Sequence, residues 1–466
     1  MRFVQVFFFY PAYLASFYQR NPTLADESYE VQRAALLNDG FYATHFFAEQ
    51  LRRVGCDAHS LIGNCEPLQR AWAREHGTPF EPESWHHTVL AAQVDALQPD
   101  ILYLSDPINY DSRFVRSLKT RPSFVAGWRA AIIPPWSDFT EIDLILSSDP
   151  ITPALALKHG ARATEHFLPG FPSWIAESVR AEPTMHDVVL CGQLTADHIK
   201  RIELVEQLSF YAKNTSDFIP AFFVHIAGNW NLQAAQSFIH PALWGMDLYR
   251  GLRRGKIGLN NVIDFARGEG GNMRQFEVTG CGSLLLTEEH PTLSRHFEPG
   301  REVETYGSFE ELVEKIAYYS SHDNEREEIA RRGQERCLRD HSLERRAEWL
   351  VEILRSHAGN IGATRIPERQ PESVPRPDEL MRRAIDLIQQ NEVAESYQTS
   401  LQALKWYPHA RYVHYMQGLA LLKMQRIAEA CDALRSEVSL FPDSPYAIDL
   451  IQQVERALSA VSVQEP

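Results

Sequence analysis

Residues Lys256–Thr287 read KIGLNNVIDFARGEGGNMRQFEVTGCGSLLLT. The pattern predicts a short strand over Lys256–Asn260, a loop carrying Gly268, Gly270 and Gly271, and a helix from about Asn272. That helix stops at Gly280-Cys281-Gly282, and a buried strand follows over Ser283–Thr287. Strand, glycine loop, helix and strand make the βαβ unit that holds anions at a helix N-terminus. Asn272 is a good N-cap, and it aims the first-turn N–H groups into the expected cleft. Glu269 and Glu277 stand eight positions apart, and Arg274 lies one turn before Glu277 on the same helix face.

The surrounding chain has 466 residues, enough for two or three domains. Its hydrophobic content is 44% and its charged content 23%, ordinary for a globular protein with sizeable cores. A formal net charge of −15 argues against a nucleic-acid-binding surface, although a local basic pocket remains compatible with it. Six scattered cysteines form no CxxC or His/Cys cluster, so reduced, buried thiols are expected and a metal site is not. No run is long enough for a transmembrane helix. The first apolar run, FVQVFFF, is interrupted by Gln5 and preceded by a single basic residue. It reads as a buried strand and not as a signal peptide, so a cytoplasmic location is expected.

Upstream, strands and helices alternate. Strand Phe3–Phe9 is followed by a long aromatic segment to Asp39, and then DGFYATHFFAEQLRRVG reads as one helix ending at Gly55. Further strands are expected at Cys56–Gly63, QPDILYLSD, SFVAGW, IDLILSSD and Arg162–Phe167. This makes residues 1–170 a doubly wound α/β domain. LPGFPSWI (Leu168–Ile175) is a crossing segment, and a second α/β series over 176–356 begins with HDVVLCG and AFFVHIAG. His290–Phe297 is expected to be helical, and a long helix, kinked near His341–Glu344, is expected over Asn324–Ser356. Residues 357–377 read as a linker.

Residues 378–460 are helical in pattern and contain a repeat: Pro408 and Pro442 are 34 apart, and Tyr407 matches Phe441. Gly418, Ala430 and Pro442 fall at the small, small and proline positions of a tetratricopeptide helix pair, with Ser396 replacing the usual alanine in the first copy. Two repeats are marginal alone, so this all-α module is expected to dock on the α/β body, on a partner protein or on a second copy.

KIGLNN, NMRQFE, TGCGSLLLT, FEPGREVETYGSFEEL and RRGQERCLRDHSLERR, in that order, resemble the "group 1" glycosyltransferases of the CgeB-like type over about Asp187–Leu354. The spacing Glu269-x7-Glu277 is similar to the E-x7-E signature of many retaining GT-B enzymes. The resemblance implies two Rossmann-like domains facing across a cleft that holds a nucleotide-sugar such as a UDP-, GDP- or dTDP-sugar. It further implies that Glu277 takes the ribose hydroxyls and that Asn272 and Arg274 meet the diphosphate. Gly192 in LCGQL would lie beside the phosphates, Lys200 or Arg201 would supply a cation, and Asn260 would lie near the base. Such enzymes generally need no metal or other cofactor, because helix dipole and cations do that work.

The first domain would bring a protein or glycan acceptor. His45 and Asp106 are the catalytic candidates there, with Asp39 and Glu27 further options, and Glu269 is a third catalytic candidate from the glycine loop. Each also has a plain structural reading. His45 lies among Phe41, Tyr42, Phe46 and Phe47 and could be a core histidine; Asp106 precedes Pro107 and could be a turn residue. His86-His87 reads as a solvated helix start, and Trp230 and Trp244 as packing residues. A sugar-nucleotide epimerase and a non-catalytic interaction protein on the same scaffold are the alternative functions.

Overall fold

The computed structural model describes residues 1–80, 85–196, 198–262, 264, 272–359, 377–407 and 410–462. The glycine loop with Glu269, the segment 360–376 and Pro408 lie outside the described residues.

Strands β1 (Arg2–Phe7), β2 (Asp57–Ile62), β3 (Ile101–Leu104), β4 (Phe124–Trp128), β5 (Leu144–Ser147) and β6 (Ala163–His166) form a parallel sheet in the order β2-β1-β3-β4-β5-β6. Helices cover both faces, which is why β1, β3 and β4 are apolar almost throughout. Gln5, the polar interruption in β1, is fully buried. Its Nε2 donates to the His45 carbonyl at 2.7 Å and its Oε1 accepts from the Ala48 amide at 2.9 Å. That pairing locks the segment after the first helices onto the sheet.

The second sheet holds β7 (His186–Leu194), β8 (Pro220–Ile226), β9 (Ile239–Pro241), β10 (Gly255–Asn260), β11 (Leu284–Glu288) and β12 (Glu304–Tyr306). Its order is β12-β11-β10-β7-β8-β9, again all parallel. The strand order therefore reverses between β7 and β10, as it does between β1 and β3 in the first sheet. Ligands in open α/β sheets bind beyond the carboxyl ends of the strands at such a switch point. Two Rossmann-like domains thus present their switch points to one cleft.

Several elements differ from the sequence expectation. The helix expected through DGFYATHFFAEQLRRVG is broken, because Tyr42 adopts a left-handed φ of 65°. A 3-10 turn, Ala43–His45, and a short helix, Phe47–Arg53, replace it. His290–Phe297 keeps only the 3-10 turn Leu293–Arg295. The long C-terminal helix is two helices, Asp323–Asp340 and Leu343–Ala358. The reason for that last break is a crossing. The Phe171 amide donates to the His341 carbonyl and the Leu343 amide to the Phe171 carbonyl, each at 2.9 Å. Helix Leu343–Ala358 then returns to the first domain, with Trp349 5.1 Å from Phe167 between ring centres.

The C-terminal region is all-helical: Pro377–Gln389, Val393–Trp406, Val413–Lys423, Ile427–Leu440 and Pro445–Ser462. Successive helices pack against one another. A Cβ on Gly418 would stand 2.8 Å from Leu434 Cγ and 3.3 Å from the Ala430 carbonyl, so the small residues mark a close helix approach. In the preceding pair Ser396 Oγ donates to the Ala384 carbonyl at 2.8 Å across the equivalent contact. No described helix is long and apolar enough to cross a membrane.

Candidate active site

Helix Met273–Cys281 begins where the sequence predicts. Asn272 is the N-cap, its Oδ1 accepting from the Gln275 amide at 3.4 Å. Asn272 Nδ2 donates to Asn260 Oδ1 at 2.9 Å, and Asn260 Nδ2 donates to Thr287 Oγ1 at 2.9 Å. This chain fixes the helix start against the ends of β10 and β11. One turn along, Arg274 Nη1 lies 2.7 Å from Glu277 Oε2. Glu277 is 5% exposed. Burial pushes its carboxyl up, and the Arg274 guanidinium opposes that rise.

A cavity of about 220 Å³ opens over this pair. Gly192 and Gln193 at the end of β7, Asn260 and Asn261 at β10, and Arg274 and Glu277 on the helix form one side. Tyr10, Phe41 and Tyr42 from the first domain, with Leu243 and Trp244, form an aromatic and apolar side. Trp244 stands edge-on to Tyr10 and to Phe41, with ring centres 6.2 Å and 5.9 Å apart. The cavity thus brings together a helix start, which favours anions, a buried carboxylate and an aromatic wall.

A second cavity, about 490 Å³, lies beside it on the first-domain side. Residues at the ends of β3, β4 and β5 line it: Asp106, Trp128, Arg129 and Asp149. Tyr10, Tyr42, Gln193, His198, Arg201 and Asn272 border both cavities, so the two are halves of one cleft. His198 sits at that seam. Its Nδ1 is 2.8 Å from Thr195 Oγ1. Burial and the neighbouring Arg201 push the His198 ring down to about 4, so it is neutral at pH 7. Among the described residues no group of three or more His, Cys, Asp or Glu is placed to hold a metal ion.

Residues 201–352 match the family described as Glycosyl transferase-like. The match lies within the second domain. The matched segment is about a third of the chain and contains Arg201, Asn260, Asn272, Arg274 and Glu277. A comparison with curated proteins finds no match. Three solved structures are similar at low identity. The Anabaena protein HepE, in complex with UDP and glucose, is 12% identical with a TM-score of 0.46, covering 76% of this chain and 100% of its own. A glycosyltransferase from Rickettsia africae is 11% identical with a TM-score of 0.46, covering 77% and 99%. The pneumococcal O-GlcNAc transferase GtfA, in complex with UDP and GlcNAc, is 11% identical with a TM-score of 0.38, covering 59% and 60%.

Within the transferase-like domain the structure brings Gly192, Arg201, Asn260, Asn272, Arg274 and Glu277 to one cavity. Their parts differ. Arg201 Nε donates to Asn261 Oδ1 at 2.6 Å, Nη1 to the Gln193 carbonyl and Nη2 to the Asn261 carbonyl, each at 3.1 Å. It therefore pins the ends of β7 and β10 together, and its charge lies beneath Gly192. A Cβ on Gly192 would come within 3.2 Å of Arg201 Nη1. Gly192, the end of the strand that HDVVLCG suggests, lies within β7, since the strand runs on to Leu194. Lys200 is exposed.

On the acceptor side the expectations need correction. His45 lines neither cavity and is fully buried, stacked on Tyr42 at 4.7 Å and edge-on to Trp128 at 4.4 Å. Burial pushes its ring down to about 3, so it is a neutral core histidine with no path to a substrate. Asp106 does line the larger cavity, while its carboxylate also caps a turn. Oδ1 accepts from the amides of Ile108 and Asn109 at 2.9 Å, and Oδ2 from Asn109 Nδ2 at 2.8 Å. Glu269 lies outside the described residues. Asp39 lines neither cavity, and its carbonyl accepts from the Met246 amide across the cleft at 2.6 Å. Glu27 is exposed. His86 and His87 are buried, at 6% and 5% exposure, and not solvated.

Sequence reasoning missed His198, Trp128, Arg129 and Asp149. The last three sit at or just after the carboxyl ends of strands that the sequence located, so strand ends alone could have marked them. Trp244, taken for a packing residue, also faces the donor-side cavity.

Proposed function

We propose that this chain transfers a sugar from a nucleotide-diphosphate donor to an acceptor hydroxyl, without a metal ion. The observation that carries the reading is the buried Arg274–Glu277 pair at a helix start, facing a cavity at the switch point of a glycosyl transferase-like domain. Glu277 would receive the ribose diol, which suits two acceptor oxygens. The start of helix Met273–Cys281, with Arg274 and the charge of Arg201 under Gly192, would stabilise the departing diphosphate. The aromatic wall of Phe41, Tyr10 and Trp244 would take the base.

The larger cavity would admit the acceptor, a protein or a glycan. His198, neutral at the seam, reaches both halves and can offer a ring nitrogen to the donor sugar or the leaving group. Asp106 is the acceptor-side carboxylate that would accept the hydroxyl proton. The helical region would be a tetratricopeptide-like module that guides the acceptor, in a cytoplasmic enzyme.

A thermal-shift series with UDP, GDP, dTDP and CMP tests the donor assignment first. Stabilisation by one of the nucleotides, lost in Glu277→Ala, is the expected result. No stabilisation by any of them would remove the transferase reading and favour a non-catalytic protein. Product analysis with the matching sugar nucleotide then separates transfer from isomerisation of the free donor.

A further inference from the structure

The helical module meets the first domain at Trp136 and at His86, beside the two loops that line the acceptor-side cavity. Lys405, near the end of helix Val393–Trp406, places its Nζ 4.7 Å from the centre of the Trp136 ring, and that nitrogen is shielded from solvent. Two residues on, Tyr407 stands edge-on to His86 at 6.3 Å. His87, next to His86, packs edge-on against Tyr110 at 6.0 Å and beside Phe114 at 6.1 Å. Tyr110 closes the turn that Asp106 begins, its amide donating to the Asp106 carbonyl at 3.1 Å. Asp111 follows, 1% exposed, and caps helix Ser112–Arg116 through the Arg113 amide at 3.0 Å. Arg113 Nη2 in turn donates to the Trp136 carbonyl at 3.2 Å, joining this loop to the one that leaves β4 through Arg129. The 129–136 loop therefore runs from the cavity wall to a contact with the module, and the 106–111 loop reaches the module by way of His87 and His86.

We propose that Lys405 is a positioning residue, and that through it the helical module braces the loops 106–111 and 129–136 so that Asp106 and Arg129 face the acceptor-side cavity. An apolar contact would suffice to park a module. A buried ammonium is costly unless its surroundings compensate it. Here the compensation comes from the indole face and from the loops' own carboxylates. Burial pushes Lys405 down to about 8, opposed by Asp111 and Asp106 and reinforced by Arg113 and Arg129. The residues that act on the amino group thus include the cavity's own Asp106 and Arg129. The acceptor role rests on the transferase reading above; the bracing does not.

Hydrogen–deuterium exchange on the full-length chain, with Lys405→Met and Lys405→Arg, tests the brace. Lys405→Met keeps the apolar stem and removes the cation. It should speed exchange over 105–116 and 129–137 by about tenfold and leave β7 and helix Met273–Cys281 unchanged. Lys405→Arg should restore the slow rate. Trp136→Leu, approached from the other partner, should reproduce the Lys405→Met result even if that variant loses its helical fold. With a panel of p-nitrophenyl glycosides as acceptors, KM for the acceptor should rise about fivefold while nucleotide-induced stabilisation is kept. Unchanged loop exchange, or an equal rise on the donor side, overturns the proposal. If no nucleotide stabilises the wild-type chain, the transferase reading falls and the exchange result still decides the brace.

Discussion

Glu277 is buried and its partner Arg274 partly so, and ion pairs taken out of water are poor stabilisers because desolvation offsets their attraction. Their place on the wall of a cavity therefore argues for a ligand more than for stability. Glu277→Ala should weaken nucleotide binding by about 2–3 kcal/mol, the scale of lost charge-assisted hydrogen bonds. Isothermal titration with the nucleotide selected by thermal shift measures this, and an unchanged affinity would remove the ribose assignment. His45 makes a different prediction. Its ring is held down to about 3 in the folded chain, whereas an unfolded histidine titrates near 6.5. The unfolded state therefore binds the extra proton as pH falls, so stability from this site is complete above about pH 6.5 and drains away towards pH 3. His45→Phe should make unfolding free energy less sensitive to acid, by about 1 kcal/mol between pH 6 and pH 5 in urea titrations. Glu277 and Arg274 were legible in the sequence because three positions on a helix put two side chains together. The inward turn of His45 was not, because it depends on a left-handed Tyr42 that no local pattern around it announces.

Helix Met273–Cys281 is the element on which donor binding would depend, and its rear contact is as constrained as its front. A Cβ on Gly280 would overlap the ring of Phe171, which is fully buried in the crossing segment. Alanine ordinarily favours a helix over glycine by about 1 kcal/mol, so a naive reading expects Gly280→Ala to stabilise. Overlap in a close-packed core reverses the sign, and we expect a net loss of about 1–3 kcal/mol in chemical denaturation. The sequence places the helix stop at Gly280-Cys281-Gly282, and the helix does end there, at Cys281, with Gly282 as the left-handed C-cap at φ of 82°. Strands were legible as apolar runs, and their ends located most of the cleft. The break between Asp340 and Leu343 was legible only as a kink near His341–Glu344, and its full extent comes from tertiary contact. It is set by the hydrogen bonds of Phe171 across the molecule.

For the whole molecule, two sheets and a helical region follow the order of the sequence patterns, which offered docking on the α/β body as one option for the module but not its place, at Trp136 and His86. Removing residues after 359 should uncover Trp136, His86 and His87 and lower the melting temperature, by about 2–4 °C for each kcal/mol lost. Nucleotide-induced stabilisation should survive that truncation while transfer to protein or glycan acceptors falls, and equal loss of both would count against a role for the module at the acceptor. The chain passes between the α/β domains at Phe171 and again at His341–Leu343, and the two passages pair with each other as one short parallel ladder. That strip is not the sole joint: the Asp39 carbonyl also accepts from the Met246 amide, and Trp349 packs on Phe167. Tyr42, His198 and Arg201 border both cavities, so a substitution at any of the three changes the walls of both at once.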